Sequence, residues 1–475
     1  LSNKLKIPIN KINVITNYMG GGFGSKNELG KYTVLAALAS KRINRPVKVI
    51  YDRIEENLAT GYRTPTTQHV TMSCNKDGEL LALKLEAIIN LGYSAKWIPD
   101  VAGVYKTMYS CPNVKTIQYG VYTNLDPFSA FRAPGGVEGN FALESMMDLM
   151  AAELSIDPID FRLRNYVETD QISNLPYSSK GLKDAYDVAM KISKWKSKRK
   201  ELSCIGNVAK GIGVSSIIWY VGGGPPAYAN VKINSDGTAS TLTSTQDIGT
   251  GTETALAQIT AEELSFPLDD VKVSLGDTRT ELYSPGSGGS ATLSAMGPAV
   301  RAAASDAKRQ ILEVASQLFE APIDILQLKD GKVRILETGK EIGIDKIMSE
   351  IGNTMIIGKG FRGPNDEKSI ASAFGVHIAE VEVDLKTGKV KVTRIVAVHE
   401  SGRIINPLLV ESQIEGGIIQ GLGFALMEKH EVDNNTGKTP TRLYSSTNCW
   451  LIDRKSWMRR MRFISVTRWP RPSLR

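Results

Sequence analysis

Three clusters of glycine stand directly ahead of runs with helical periodicity, and a chain patterned this way brings glycine loops to helix amino termini. The first is Gly20-Gly21-Gly22-Phe23-Gly24-Ser25-Lys26, ahead of Tyr32, Leu35, Ala36 and Ala39. The second, Gln246-Asp247-Ile248-Gly249-Thr250-Gly251-Thr252, precedes Leu256, Ile259 and Leu264. The third, Gly286-Ser287-Gly288-Gly289-Ser290-Ala291-Thr292, opens the alanine-rich run from Ala299. Glycine lets peptide N–H groups come close to a ligand, and a helix start offers unpaired donors with partial positive charge. Together such loops could wrap a large anionic cofactor with backbone alone. Singly, each is weak evidence, because most glycine clusters are just turns. The first is not a phosphate-binding P-loop, because Ser25-Lys26-Asn27 stands where Gly-Lys-Ser/Thr is needed. Nor does any G-x-G-x-x-G open a βαβ unit with an acid about 20 residues on.

Between these loops the pattern alternates hairpins with amphipathic helices. Turn signals stand at Asn75-Lys76-Asp77-Gly78, Ser235-Asp236-Gly237, Lys329-Asp330-Gly331 and Lys386-Thr387-Gly388. The last is flanked by alternating Val381, Val383, Leu385 and Val390, Val392. A further helix is predicted through Phe141, Met146, Met150 and Leu154. Hairpins mixed with helices, without a strict βαβ rhythm, predict an α+β fold. The lysine-rich stretch Leu182 to Glu201 reads as a solvated helical connector, which divides the chain into residues 1–168, a connector 169–209, and residues 210–440. From 441 to 475 the texture changes: glycine vanishes, Trp450, Trp457 and Trp469 crowd together, and no period persists. This stretch reads as a basic tail outside the fold, as after a frameshift or a cloning junction.

Charge and ligand residues narrow the function classes. The formal net charge is +8. Nine basic residues against one acid, Asp453, between Thr441 and Arg475 account for all of it. The body therefore offers no field for nucleic acid, and no apolar run approaches the ~18 residues of a membrane span. Four scattered cysteines without a CxxC pair exclude a zinc ribbon and a cysteine-held iron–sulfur cluster in this chain, and fit a reducing cytoplasm. Four histidines form no HxxxH pair, so no side-chain metal site is expected. His399-Glu400 and His430-Glu431 have the look of acid–base dyads, against the commoner structural histidine. Arg132, in Ala130-Phe131-Arg132-Ala133-Pro134-Gly135-Gly136, suits bidentate pairing with a phosphate or a purely structural cap. Gln413 and Gln420, beside small residues, suit the edge of a heterocycle or close helix packing.

Six motifs in order, GGGFGSK, AFRAPGG, DPIDFRLRN (Asp157 to Asn165), DIGTGTETALAQ, GSGGSAT and QIEGGIIQGLGFALME, resemble the molybdenum-binding large subunit of the xanthine dehydrogenase/aldehyde oxidase family. They cover the chain from about Asn13 to Glu428. The resemblance implies two molybdopterin-binding units with a molybdenum–molybdopterin cofactor between them, in the cytosine dinucleotide form usual in prokaryotic members. It implies that Gly22, Phe23 and Gly24 face the metal, that Arg132 contacts the pterin or its surroundings, and that Gly249, Thr250, Gly251, Ser290, Ala291, Thr292 and Gln413 hold the pterin and its phosphates. No protein ligand to molybdenum is implied. The chemistry implied is oxidative hydroxylation of an aldehyde or related small carbonyl or heterocycle, with water as the oxygen source. Electrons would leave through 2Fe-2S clusters and FAD on a small and a medium partner subunit, in a cytoplasmic heterotrimer or its dimer.

Three departures refine that expectation. Asn27 stands where purine-oxidising relatives carry a glutamate, and Ser129 where carbon monoxide dehydrogenases carry a copper-binding cysteine. The family's general-base glutamate lies in a Gly-x-Gly-Glu segment that this sequence does not contain, so no catalytic residue is assigned. Its absence would remove acid–base help worth about 10²–10⁴ in rate. Since the chain also opens at Leu1 directly in patterned sequence, it reads as incomplete at both ends; the alternative is a non-catalytic remnant or scaffold subunit.

Overall fold

The computed structural model of the 475-residue chain describes residues 1–280, 282–352, 354–365, 367–429 and 433. The fold is α+β. Each expected turn closes an antiparallel pair: Thr66–Cys74 with Leu80–Gly92, Tyr228–Ile233 with Ala239–Leu242, Leu326–Lys329 with Lys332–Ile335, and Ser372–Asp384 with Val390–Glu400. Two parallel pairings, Leu80–Gly92 with Val114–Tyr122 and Ala239–Leu242 with Val271–Ser274, add crossovers that the turn signals do not announce.

Compactness divides the chain differently from the sequence blocks. One unit joins Leu1–Ile50 to Val221–Asp366, and the other joins Tyr51–Tyr220 to Glu367–Arg475. The reason is strand pairing over long sequence distances. Tyr228–Ile233 takes Ile356–Phe361 on its free side, and Val208–Tyr220 pairs along its whole length with Ser372–Asp384. Each pairing pulls a distant segment into its own unit.

In the first unit the helices Thr252–Leu264 and Thr292–Phe319 pack on the four-stranded sheet ordered Ile356–Phe361, Tyr228–Ile233, Ala239–Leu242, Val271–Ser274. The long helix presents a face of alanines, with Ala295, Ala299, Ala303, Ala307 and Ala315 fully buried. It lies unusually close to its strand. A Cβ at Gly358 would sit 2.0 Å from the Ala303 carbonyl oxygen, and one at Gly360 would sit 2.1 Å from that of Ala299. At this edge strand Asp306 accepts the Lys359 N–H at 2.9 Å, and Gln310 donates to the Ile357 carbonyl at 3.0 Å. The helix thus both covers the edge and satisfies its polar groups.

The second unit contains two sheets, one of Thr66–Cys74, Leu80–Gly92 and Val114–Tyr122, the other ordered Val390–Glu400, Ser372–Asp384, Val208–Tyr220, Cys204–Ile205. Its interior holds an ion pair. Arg162, whose side chain is fully buried, donates through Nε to Glu144 at 3.0 Å and through Nη1 to Asp148 at 2.7 Å. The same Glu144 carboxylate accepts the Ser216 N–H at 2.7 Å and the Tyr109 hydroxyl. Around it, Asp157 caps the helix Pro158–Arg164 through the Ile159 N–H, and Asn165 bonds the Leu80 N–H and the Gly78 carbonyl. The DPIDFRLRN run is therefore the polar centre of this unit.

The stretch expected as a solvated connector is part of that core. Leu182–Ser193 is a helix with Leu182, Ala185, Tyr186 and Ala189 buried, and Trp195 beyond it is 1% exposed. Its lysines occupy the opposite face, so a rich basic count masked an ordinary amphipathic helix. The tail 441–475 lies outside the described residues.

Two substitutions probe these centres. Gly360→Ala should lower stability by about 1–3 kcal/mol through overpacking. Gly213→Ala, at a position with open space for a Cβ, should leave the urea midpoint nearly unchanged. Arg162→Met should cost about 3–5 kcal/mol, because Glu144 would keep a buried charge without its partner. A wild-type urea midpoint in either Gly360→Ala or Arg162→Met would contradict the corresponding account.

Candidate functional site

The three glycine loops meet within the first unit, and the backbone around them shows how. The segment entering the first loop lies beside residues 276–278: the Thr16 N–H donates to the Gly276 carbonyl, and the Thr278 N–H donates to the Val14 carbonyl. Gly276 in turn donates to the Thr245 carbonyl, at the root of the second loop. This relay from residue 16 through 276 to 245 sets the first and second loops side by side. A Cβ at Gly22 would lie 3.4 Å from the Ile248 side chain. The third loop joins through Ser287, whose hydroxyl donates to the Gln246 carbonyl at 3.0 Å, and through Gly288, where a Cβ would meet the Asn27 amide at 2.8 Å.

Backbone conformation within the loops is uncommon. Gly21 and Gly24 flank Phe23, which itself has a φ of 49° and is half exposed. An aromatic residue in the left-handed region persists only where its surroundings hold it there. The Lys26 ammonium donates to the Gly21 carbonyl at 2.9 Å and the Ser25 hydroxyl to that of Gly22 at 3.1 Å, tying the loop to itself.

A fourth glycine stretch, not singled out by the sequence patterns, belongs to the same region. A Cβ at Gly222 would fall 2.3 Å from the Gly289 carbonyl oxygen, and one at Gly223 would fall 2.5 Å from the Ser294 hydroxyl. Ser294 donates to the Gly222 carbonyl, while Arg362 holds the Ser294 carbonyl at 3.1 Å and the Asn365 side chain at 2.7 Å. Its sequence, Gly222-Gly223-Gly224-Pro225-Pro226, leads into a strand and so lacks the pattern of glycines ahead of a helix.

Of the expected cofactor residues, Gly22, Phe23, Gly24, Gly249, Thr250, Gly251, Ser290, Ala291 and Thr292 fall in this first unit. Arg132 and Gln413 fall in the second, and there they meet each other. The Arg132 guanidinium donates from Nη2 to the Gln413 carbonyl at 2.7 Å and from Nη1 to the Gln420 side chain at 3.4 Å, along the helix face bearing Gly416 and Gly417. Burial lowers its pKa from the usual arginine value. Its own carbonyl accepts from Arg63, which is stacked between Phe131 and Phe424 at 4.8 Å from each ring and paired with Glu138 at 3.1 Å.

The dyad reading of His399-Glu400 is not supported. Neighbouring residues of a strand point to opposite faces. His399 meets His377 instead, Nε2 to Nε2 at 2.7 Å, and Glu400 accepts from the Ser179 hydroxyl at 2.8 Å. Desolvation pushes His377 down to about 3, aided by His399, and pushes His399 down to about 4, aided by Arg132. Both rings are neutral structural groups. His430-Glu431 lies outside the described residues. Among the described residues, no group of three or more His, Cys, Asp or Glu is placed to hold a metal ion, and no helix is long and apolar enough to cross a membrane.

The residues present fit an extended polar group with negative charge. The Thr245 hydroxyl is fully buried at the root of the second loop and has no partner among the described residues. The helix Thr292–Phe319 has Ala291 at its N-cap and no side-chain cap, and its first turn carries no acidic residue. Glycines line the approach where a Cβ would intrude.

Comparison with known proteins identifies the group. Molybdopterin cofactor-binding domain models match residues 1–166 and 185–446. The chain belongs to this family, that of the molybdenum-binding large subunits of xanthine dehydrogenases and aldehyde oxidoreductases, and the cofactor its domains bind is molybdenum–molybdopterin. It is 32% identical to the putative xanthine dehydrogenase molybdenum-binding subunit XdhA of Escherichia coli K12, over 91% of this chain and 60% of the relative. It is also 32% identical to the aldehyde oxidoreductase molybdenum-binding subunit PaoC of the same organism, over 92% and 59%. Among solved structures, quinoline 2-oxidoreductase from Pseudomonas putida 86 superposes with a TM-score of 0.88 at 26% identity, covering 98% of this chain and 63% of that one. The chain thus spans about 60% of the length of these relatives.

The histidine pair makes a pH prediction. Both folded-state values lie below the ordinary 6.5, so as pH falls the unfolded chain binds protons that the native pair refuses. Stability is fully present above pH 6.5 and is lost progressively as pH falls towards 4 and 3. In a His377→Leu/His399→Leu double variant, the fall in urea midpoint between pH 6.5 and 4 should be markedly shallower than in wild type. An unchanged slope would show that the pair does not carry it.

Proposed function

We propose that this chain is the large subunit of a molybdenum hydroxylase of the aldehyde-oxidising type, acting on an aldehyde or a related small carbonyl or heterocycle. The convergence of three glycine loops in one unit is the observation that carries this reading. Bound at these loops, the molybdenum–pterin would supply the oxidation chemistry, with water as the source of oxygen. The protein's part is to grip and orient it. Gly22, Phe23 and Gly24 would lie along one side, with Ser290, Ala291 and Thr292 bringing the start of the helix Thr292–Phe319 to its phosphates. Gln246, Thr250 and the buried Thr245 hydroxyl add side-chain hydrogen bonds from the second loop. Arg132 and Gln413, held to one another in the second unit, would contribute as a preformed pair. The cytosine dinucleotide form, and electron transfer to a small 2Fe-2S subunit and a medium FAD subunit in a heterotrimer or its dimer, belong to the same proposal.

The two Escherichia coli relatives, one named for xanthine and one for aldehydes, are equally similar and do not choose between substrates. Asn27 does favour one. Its neutral amide, packed where a Cβ at Gly288 would lie 2.8 Å away, offers no charge to anchor an ionised purine ring.

The test is purification of the full-length chain with its partner subunits, followed by measurement of molybdenum, pterin and cytidine monophosphate released by acid. Stoichiometric molybdenum and pterin, with dye reduction by aldehydes exceeding that by xanthine, is the expected result. Full partner content without molybdenum would establish a scaffold or remnant instead. Gly22→Val, which drives a branched side chain towards Ile248, should lower pterin content at least tenfold while the circular dichroism spectrum is retained. Unchanged pterin in this variant would remove the first loop from the site.

A further inference from the structure

The second loop was read as a source of peptide donors for an anion, and the structure shows those donors engaged. One carboxylate oxygen of Asp247 accepts from the N–H groups of Gly249 at 2.8 Å, Thr250 at 3.1 Å and Gly251 at 3.3 Å. The other accepts from the Glu253 N–H at 3.2 Å, in the first turn of the helix Thr252–Leu264. Gly249 and Gly251 have φ values of 93° and 76°, the left-handed conformations that fold successive N–H groups into a concave nest. The chain's own carboxylate fills that nest. It also faces the positive end of the helix, where a negative charge is stabilised.

We propose that Asp247 is a positioning residue for the cofactor. It occupies the anion nest of the second loop, so this loop meets the pterin group through the side chains of Gln246, Thr250 and Thr252 and not through its peptide donors. The inference rests on the cofactor reading above, and it makes a choice that reading leaves open. Of the helix starts behind the second and third loops, that of Thr252–Leu264 has the Asp247 carboxylate on its first turn, whereas that of Thr292–Phe319 has no side-chain cap. With its nest closed to phosphate, the loop is held rigid, with the Thr250 and Thr252 hydroxyls 3.2 Å apart. A second anion brought to the same nest would meet a carboxylate already hydrogen-bonded there.

Inorganic pyrophosphate serves as the probe, with hydrogen exchange of residues 247–254 in the full-length, cofactor-free protein as the readout. In wild type, and in Asp247→Asn, whose amide oxygen keeps the nest filled, pyrophosphate should leave exchange of this segment unchanged. In Asp247→Ala the vacated donors should capture pyrophosphate and slow exchange at least tenfold. Asp247→Ser, which leaves the loop one short acceptor, replaces the alanine variant if that does not fold. Protection of the segment in wild type would overturn the proposal, as would a folded, vacated variant that pyrophosphate does not protect. Molybdenum and pterin content, measured separately on the same preparations, reports on the cofactor reading itself, so failure of one is distinguishable from failure of the other.

Discussion

The helix Thr292–Phe319 can lie on its sheet only because two strand residues carry no side chain. At Gly358 and Gly360 any Cβ would fall about 2 Å from a helix carbonyl oxygen, well inside contact distance. Alanines on the facing helix complete the arrangement, since larger residues would lift it off the strand. That approach sets the height at which Ser290, Ala291 and Thr292 arrive, and Gly222 and Gly223 are locked against the same point. Backbone packing therefore sets the end of the third loop at the helix start, and Ser287 ties its other part to Gln246.

In the second unit the organising interaction is polar. Glu144 collects Arg162, Tyr109 and the Ser216 N–H, joining the helix Gly136–Glu153, the helix Pro158–Arg164 and the strand Val208–Tyr220 around one carboxylate. A buried ion pair is weak evidence of net stabilisation, because desolvation offsets much of the attraction. What the structure shows is convergence: three elements from separate parts of the chain meet at this one carboxylate. The helix carrying Glu144 begins at Gly136, four residues after Arg132, which reaches the Gln413 carbonyl.

Local grammar was legible and long-range pairing was not. Turn residues announced four hairpins but not those of Lys332–Ile335 with Glu341–Gly343 or Cys204–Ile205 with Val208–Tyr220, and helical periodicity found Lys31–Ile43, Gly136–Glu153, Thr252–Leu264 and Thr292–Phe319. Nothing in Val208–Tyr220 says that its partner is Ser372–Asp384, because an alternating strand fits any complementary edge. The division into units therefore departs from the blocks read along the sequence. At the site, glycine spacing pointed to the three loops, but it could not show that Asp247 engages the donors of the second. An aspartate two residues before a glycine also reads as an ordinary turn former. The lysines around Leu182–Ser193 misled for a related reason, since composition averages over a helix whose two faces have opposite fates.

These loops are assembled with groups left unfinished. The Thr245 hydroxyl is buried without a partner, the start of Thr292–Phe319 has no side-chain cap, and Phe23 sits in a left-handed conformation. Each is a local cost of about 1–3 kcal/mol when nothing answers it. Such costs persist only where the surrounding scaffold over-determines the conformation, and here the relay through Thr16, Gly276 and Thr245 together with the glycine contacts does so. A polar group entering among the loops recovers part of these costs at once, which couples its binding to the stability of the first unit. The second loop differs in its peptide donors, which Asp247 already answers, leaving the Thr245 hydroxyl at its root as its unfinished group. On the proposed reading, the second loop supplies shape and side-chain contacts to the cofactor.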